Sequence, residues 1–212
     1  MSTPLDLMID SYRAFRARGF ERDKLFYQKL ADEGQQPKVA MVACSDSRVD
    51  PAIVLQTNPG EVFTIRNVAN LVPPYEEQGT FHGTSAALEF AVTKLEVEDL
   101  VILGHAHCGG VKALVERDSI PPGDNTFISR WMSMAVEAVE RVDHGHPHLD
   151  GDDRYRACEQ SCVLVSLDNL MTFPWIAERV TDGRLRLHGW YFNLAEGELQ
   201  RYDTEKKAFE PI

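Results

Sequence analysis

The apolar positions of this chain change period along its length, and the changes mark its elements. Over residues 5–33 they recur at helical spacing, with Met8, Tyr12 and Phe15 on one side, then Leu25, Phe26 and Leu30, and Gly34 supplies a stop. KVAMVAC (38–44) is instead a short unbroken apolar run containing Val39 and Val42, and reads as a buried strand. EVFTIRN (61–67), after the turn NPG, reads as a second strand, and DLVILGH (99–105) as a third. Between them GTSAALEFAVTKL (83–95) predicts a helix capped by Thr84 or Ser85, with Ala87, Phe90, Ala91 and Leu95 on one face. GGVKALVER (109–117) opens another helix, and Trp131, Met134, Ala135 and Ala138 give residues 126–142 a helical face. DHGHPHLDGDD (143–153) is polar throughout and reads as a loop. In CVLVSLDNLM (162–171), Val163, Leu167, Leu170 and Met171 share a helical face; Pro174 interrupts it, and PWIAERVTDG gives a short helix closing at Gly183. LRLHGWYFNL and GELQRYD then read as a hairpin or meander.

Strands that alternate with helices predict an α/β fold: a central, mainly parallel β-sheet flanked by helices, with an N-terminal helical arm. The 212 residues suit one domain, or one domain with an added arm, and no internal repeat is visible. An apolar content of 43% is ordinary for a globular chain. The net charge of -11 argues against nucleic-acid partners and against an anionic membrane surface, though not against a small anionic substrate in a locally positive site. There is no run of 18 apolar residues and no apolar leader, so a cytoplasmic protein is expected. In that compartment the four cysteines, Cys44, Cys108, Cys158 and Cys162, read as metal-binding, catalytic or buried rather than disulfide-bonded.

Two of them stand at strand ends. Cys44 closes the first strand and is followed by Asp46 and Arg48, while GHAHCGG (104–110) closes the third with His105 and Cys108 as H-x-x-C. Parallel strands gather their C-terminal ends at one sheet edge, so these three side chains can meet there. Two thiolates and an imidazole suit zinc, and three protein ligands leave a fourth position open. Each half alone has a plainer reading, a buried thiol or an ordinary strand-to-helix turn.

Together, CSDSRVDP, RNVANLVPPY, HGTSAALEFAV, GHAHCGGVKAL and SLDNLMTFPW resemble a β-class carbonic anhydrase from about Gln35 to Gly189. The resemblance implies a single domain over residues 1–212, zinc as cofactor, and reversible hydration of CO2 to bicarbonate and a proton. It also implies assembly into a homodimer or a dimer of dimers, with residues 1–34 packing on a partner subunit. Cys44, His105 and Cys108 become the zinc ligands. Asp46 accepts a hydrogen bond from zinc-bound hydroxide, and Arg48 keeps Asp46 ionised and in place. Gln35 donates to a bicarbonate oxygen, Phe63, Val68 and Phe90 line the CO2 pocket, and the backbone at Gly109 approaches the site. Phe90 departs from the tyrosine usual in plant members. Some family members shut when the aspartate turns onto zinc, and they share a tryptophan, an arginine and a tyrosine for bicarbonate. Here those positions are Met41, Arg66 and Phe192, so the plant-like open form is expected.

Other readings remain on the residues. The same fold and triad hydrolyse carbonyl sulfide or carbon disulfide in some relatives. A binding protein with a structural zinc is opposed by the Asp46–Arg48 pair, and a thiol redox protein by the lack of C-x-x-C spacing. His82 and His107 are candidate proton relays. HGHPH (144–148) reads as a solvated loop, His188 as structural, and Cys158 and Cys162 as buried or idle thiols.

Overall fold

A computed structural model describes residues 2–78, 82–116 and 126–212 and divides the chain into two compact units, one ending at Gln36 and one running from Pro37 to Ile212. In the first, helix α1 (Pro4–Ala14) begins with a capping box: the Thr3 hydroxyl accepts the Asp6 amide, and the Asp6 carboxylate accepts the Thr3 amide. A wider π turn (Phe15–Phe20) follows, then helix α2 (Lys24–Glu33), which ends where Gly34 adopts φ 75°. Phe15, Phe20 and Phe26 gather around Tyr27. None of the helical residues of this unit is buried, and Leu5, Leu7, Met8, Tyr12 and Leu25 are among the large apolar side chains left exposed.

The second unit is built on a six-stranded sheet. Strands β1 (Val39–Cys44), β2 (Val62–Asn67), β3 (Asp99–His105) and β4 (Arg186–Asn193) are mutually parallel, while β5 (Glu198–Asp203) and β6 (Ala208–Pro211) are antiparallel additions, in the order β2-β1-β3-β4-β5-β6. The apolar runs form the buried strands because both faces are covered: Ala40, Val42, Leu100 and Ile102 pack on one side, and Met41, Ala43, Val101 and Leu103 on the other. The expected terminal hairpin is β4–β5, with β4 also extending the parallel set and β6 added beyond it.

Helix α3 (Pro51–Val54) is one turn capped by Asp50. Helix α4 (Gly83–Glu89) continues as a π turn over Phe90–Lys94. Its cap corrects the expectation: His82 holds the N-cap position, and the Thr84 hydroxyl instead accepts from the Asn67 side-chain amide at 3.2 Å. Leu88, Ala91 and Val92 are fully buried, and Ala87 and Leu95 pack against the same core, so of the predicted face Phe90 alone is left exposed. Helix α5 is Gly109–Val115; helix α6 (Phe127–Met132), a 3-10 turn and helix α7 (Val136–Gly145) cover the next predicted helix.

The polar segment 143–153 is mostly helical, contrary to its reading as a loop. Helix α7 runs through Gly145, helix α8 starts at Gly151 and extends to Leu170, and only residues 146–150 lie between them. Asp152 and Asp153 stand in the first turn of α8, where acidic side chains favour the helix, and Arg154 reaches back to Asp143 through two hydrogen bonds of 2.9 and 3.0 Å. Helix α9 (Pro174–Thr181) is as expected. Two glycines let α8 lie tightly on the sheet: a Cβ at Gly104 of β3 would stand 2.5 Å from the Val163 side chain, and one at Gly189 of β4 would stand 3.0 Å from it.

Candidate metal centre

Strands β1 and β3 are neighbours and run the same way, so their last residues, Cys44 and His105, arrive at one edge. A three-residue turn then returns Cys108 to them. The candidate ligand atoms of Cys44, His105 and Cys108 lie within 4.8 Å of one another, and all three residues are buried. Among the described residues this is the one such group of cysteine, histidine and acidic side chains.

The donor set fits a tetrahedral zinc with one open position. The His105 ring bonds the Ala106 carbonyl through Nδ1 at 2.9 Å, which leaves Nε2 as the ligand atom. Nε2 is buried and has no hydrogen-bond partner, a state that costs free energy unless a metal takes it up. A hydrogen bond from Cys108 together with His105 draws the Cys44 thiol down, while donation to Cys44 and burial push Cys108 up. A metal held by the triad would remove that competition by binding both as thiolates.

The Cys44 sulfur also accepts the Ala69 amide at 3.3 Å. That amide is aimed by an unusual turn in which Ala69 has φ 62° and Asn70 has φ 49°. Asn67 brackets the turn, donating to the Leu71 carbonyl at 2.8 Å and accepting the Leu71 amide at 3.0 Å. Trp131 donates to the Val68 carbonyl at 2.8 Å.

Asp46 and Arg48 form a bidentate pair, Nε to Oδ1 at 2.9 Å and Nη2 to Oδ2 at 2.7 Å, and the Arg48 amide adds a third bond at 2.9 Å. These bonds hold the Asp46 carboxyl well below the usual carboxylate range. Arg48 Nη2 also donates to the His107 carbonyl at 3.0 Å, tying the pair to the turn that carries Cys108. Arg66 is fully engaged: it donates to the carbonyls of Cys44 (3.0 Å) and Asp46 (2.8 Å) and pairs with Asp50 at 2.6 Å. It braces the loop after β1. Met41 lies on the opposite face of β1 from Ala40 and Val42.

The remaining predicted residues are distributed more widely. Phe63 and Phe90 form an aromatic pair with ring centroids 5.9 Å apart. Val68 lines an open apolar depression with Asn67, Gly83, Thr84, Phe127, Ile128 and Trp131. Gln35 is exposed and belongs to the N-terminal unit. A Cβ at Gly109 would meet nothing, whereas one at Gly110 would stand 2.9 Å from Val68 and 3.2 Å from Ala69, so Gly110 is the glycine that close packing requires. Cys158 and Cys162 are buried, and burial raises their thiols to about 11 and about 12. His188 bonds Asp99 at 2.7 Å, and His82 and His107 are exposed. His144 bonds the Glu140 carbonyl on α7.

Among the buried polar residues that went unread in the sequence, one touches a candidate ligand directly. Glu159 of α8 accepts the Cys108 amide at 2.9 Å and the Tyr191 hydroxyl at 2.7 Å. Burial pushes its carboxyl up.

Comparison with known proteins gives a consistent result. The profile of a family described as Carbonic anhydrase matches residues 39–199. The chain is 39% identical over 204 residues to beta carbonic anhydrase 5, chloroplastic, of Arabidopsis thaliana, covering 96% of this chain and 66% of that protein. It is 42% identical over 198 residues to beta carbonic anhydrase 6, mitochondrial, of the same plant, covering 93% of this chain and 67% of that one. The chain thus spans about two thirds of the length of these curated relatives. Among solved structures, the β-carbonic anhydrase CcaA superposes with a TM-score of 0.92 at 32% identity, over 99% of this chain and 100% of that one.

Proposed function

The chain belongs to the β-carbonic anhydrase family, and from that premise we propose that it catalyses the reversible hydration of CO2 to bicarbonate and a proton, using zinc held by Cys44, His105 and Cys108. The observation that carries this reading is the buried triad beside an aspartate whose two carboxylate oxygens are both held by an arginine. Zinc at the triad supplies Lewis acidity, so that water gives up a proton near neutral pH.

The residues of the chain supply the rest. Arg48 keeps Asp46 ionised, so Asp46 is an acceptor only. A hydrogen bond from the attacking oxygen to that carboxylate turns a lone pair toward the carbon of CO2. The grip of Arg48 also keeps Asp46 off the metal, which supports the open form; Asp46 is absent from the close ligand group. The Ala69 amide stabilises the Cys44 thiolate. Phe63, Val68 and Phe90 offer apolar surface for an uncharged gas, and the Gly109 backbone offers a donor for developing charge on oxygen.

Residues 1–34 form the arm of a single functional domain and cover a partner subunit in a homodimer or dimer of dimers. The exposed Leu5, Leu7, Met8, Tyr12 and Leu25 support this, because large apolar side chains in such number favour a protein surface over water. The cytoplasmic expectation receives no support from relatives named for the chloroplast and the mitochondrion. Among the described residues no helix is long and apolar enough to cross a membrane.

Stopped-flow CO2 hydration at pH 7 and near pH 8.5, on protein of known zinc content, tests the proposal. Fast hydration at both values is expected. Activity at the higher pH alone would refute the open site, and zinc-loaded protein without hydration at either would refute the substrate.

A further inference from the structure

We infer that Glu159 is a positioning residue for the metal centre, its carboxylate fixing the turn that presents Cys108 while Tyr191 fixes the carboxylate. The inference rests on the reading that Cys44, His105 and Cys108 hold zinc.

Cys108 stands immediately before α5, in a turn where His107 adopts φ 56°. That backbone conformation is unfavourable for a residue with a side chain and persists only if its neighbours hold it. Two side chains hold this turn from outside. Arg48 takes the His107 carbonyl at 3.0 Å, and Glu159 takes the Cys108 amide at 2.9 Å. One grips the loop from the substrate-facing pair and the other from the protein interior.

Glu159 is suited to this and poorly suited to anything plainer. It is 5% exposed, so it is not a solvated helix residue. Its carboxylate oxygens are taken by a backbone amide and a tyrosine hydroxyl rather than by a lysine or an arginine. A carboxylate buried without a cation is costly and is tolerated where hydrogen bonds replace its hydration. Its two oxygens divide the work: Oε1 takes the ligand residue's amide, and Oε2 takes the Tyr191 hydroxyl at 2.7 Å. Tyr191 is itself 1% exposed and lies in β4 opposite Gly104 of β3. The carboxylate therefore links the ligand turn to the sheet and to α8 at once. Groups one bond removed from a metal ligand set its orientation and hence the affinity of the site.

The test is zinc affinity, by competition with a chromogenic chelator, and the absorption spectrum of the cobalt(II)-substituted protein, measured on the full chain. Wild type should bind about one zinc per chain. Glu159→Ala should weaken zinc about tenfold to a hundredfold and shift the cobalt–thiolate and ligand-field bands. Glu159→Gln, which keeps an acceptor for the Cys108 amide, should restore both toward wild type. Tyr191→Phe removes only a hydroxyl, and should shift the same bands with a smaller loss of affinity; it carries the test if Glu159→Ala does not fold. Variants that lower thermal stability while affinity and cobalt spectrum stay at wild-type values would overturn the inference and leave Glu159 a buried structural group. A wild type that binds no zinc would instead overturn the metal assignment itself.

Discussion

The parallel strands of the sheet carry an aspartate–arginine pair at each edge. At the N-terminal edge Asp99, the first residue of β3, faces Arg186, the first residue of β4, through hydrogen bonds of 2.7 and 2.6 Å. At the C-terminal edge Asp46 and Arg48 make the same bidentate contact at 2.9 and 2.7 Å. In both pairs the arginine lowers the carboxyl's proton affinity. The pairs differ in what the strand ends bring beside them. The C-terminal ends of β1 and β3 deliver two thiols and an imidazole, and the spare donor of Arg48 ties the pair to their turn. The N-terminal edge brings His188, a second partner for Asp99, and a neighbouring Lys38–Glu98 ion pair at 3.0 Å. On the proposed function, then, an ion pair would draw its chemical role from its address in the sheet and not from its own geometry.

The comparison is broken most completely by removing the address. Cys108→Ser should strip the zinc and reduce CO2 hydration to background, because a neutral hydroxyl replaces a thiolate ligand; metal analysis and stopped flow read both. Next in size is Asp46→Asn, which keeps the triad. Its kcat/KM should fall roughly a hundredfold or more while about one zinc per chain remains. Loss of zinc along with activity would mean that Asp46 supports the metal rather than the reaction.

Much of that C-terminal edge was legible in the sequence, because its chemistry is local. Cys44, Asp46 and Arg48 lie within five residues, His105 and Cys108 within four, and both groups follow unbroken apolar runs. What joins them comes from farther away. Glu159 meets Cys108 across 51 positions and Tyr191 across 32. In the sequence it is one acidic residue in a polar helix, and nothing in ACEQSC distinguishes it from a solvated one. The start of α8 was hidden for the same reason: its first turns carry charges, and a polar helix has the composition of a loop. The arginine braces divide similarly. Arg48 is read from its neighbour, whereas the hold of Arg66 on the carbonyls of Cys44 and Asp46 depends on β2 lying beside β1.

A smaller effect sharpens the comparison by moving the scaffold that both edges share. In Gly104→Ala the new methyl would stand 2.5 Å from the Val163 side chain, so α8 must shift or the core must strain. Overpacking of this kind costs about 1–3 kcal/mol, measurable by urea unfolding. Adding Val163→Ala should recover part of it. Because α8 carries Glu159, zinc affinity should follow the helix.

The smallest effect is expected at the N-terminal edge. The bonds from Arg186, ahead of those from His188, lower the Asp99 carboxyl below its ordinary value. A depressed folded-state value means that the pair stabilises the protein at any pH above the unfolded carboxyl's value near ~3.9, and that this contribution is lost as pH falls through the folded-state value. The arginine side chain is 60% exposed, so solvent screens the pair and its contribution at neutral pH is small. Asp99→Asn should therefore unfold in slightly less urea than wild type at pH 7, and the gap should close as the pH is lowered below 4, where the wild-type carboxyl takes up its proton. CO2 hydration should be unchanged at either edge of the neutral range. A fall in hydration approaching that of Asp46→Asn would show that the N-terminal pair also serves the reaction, and the address of the pair would no longer explain the difference between them.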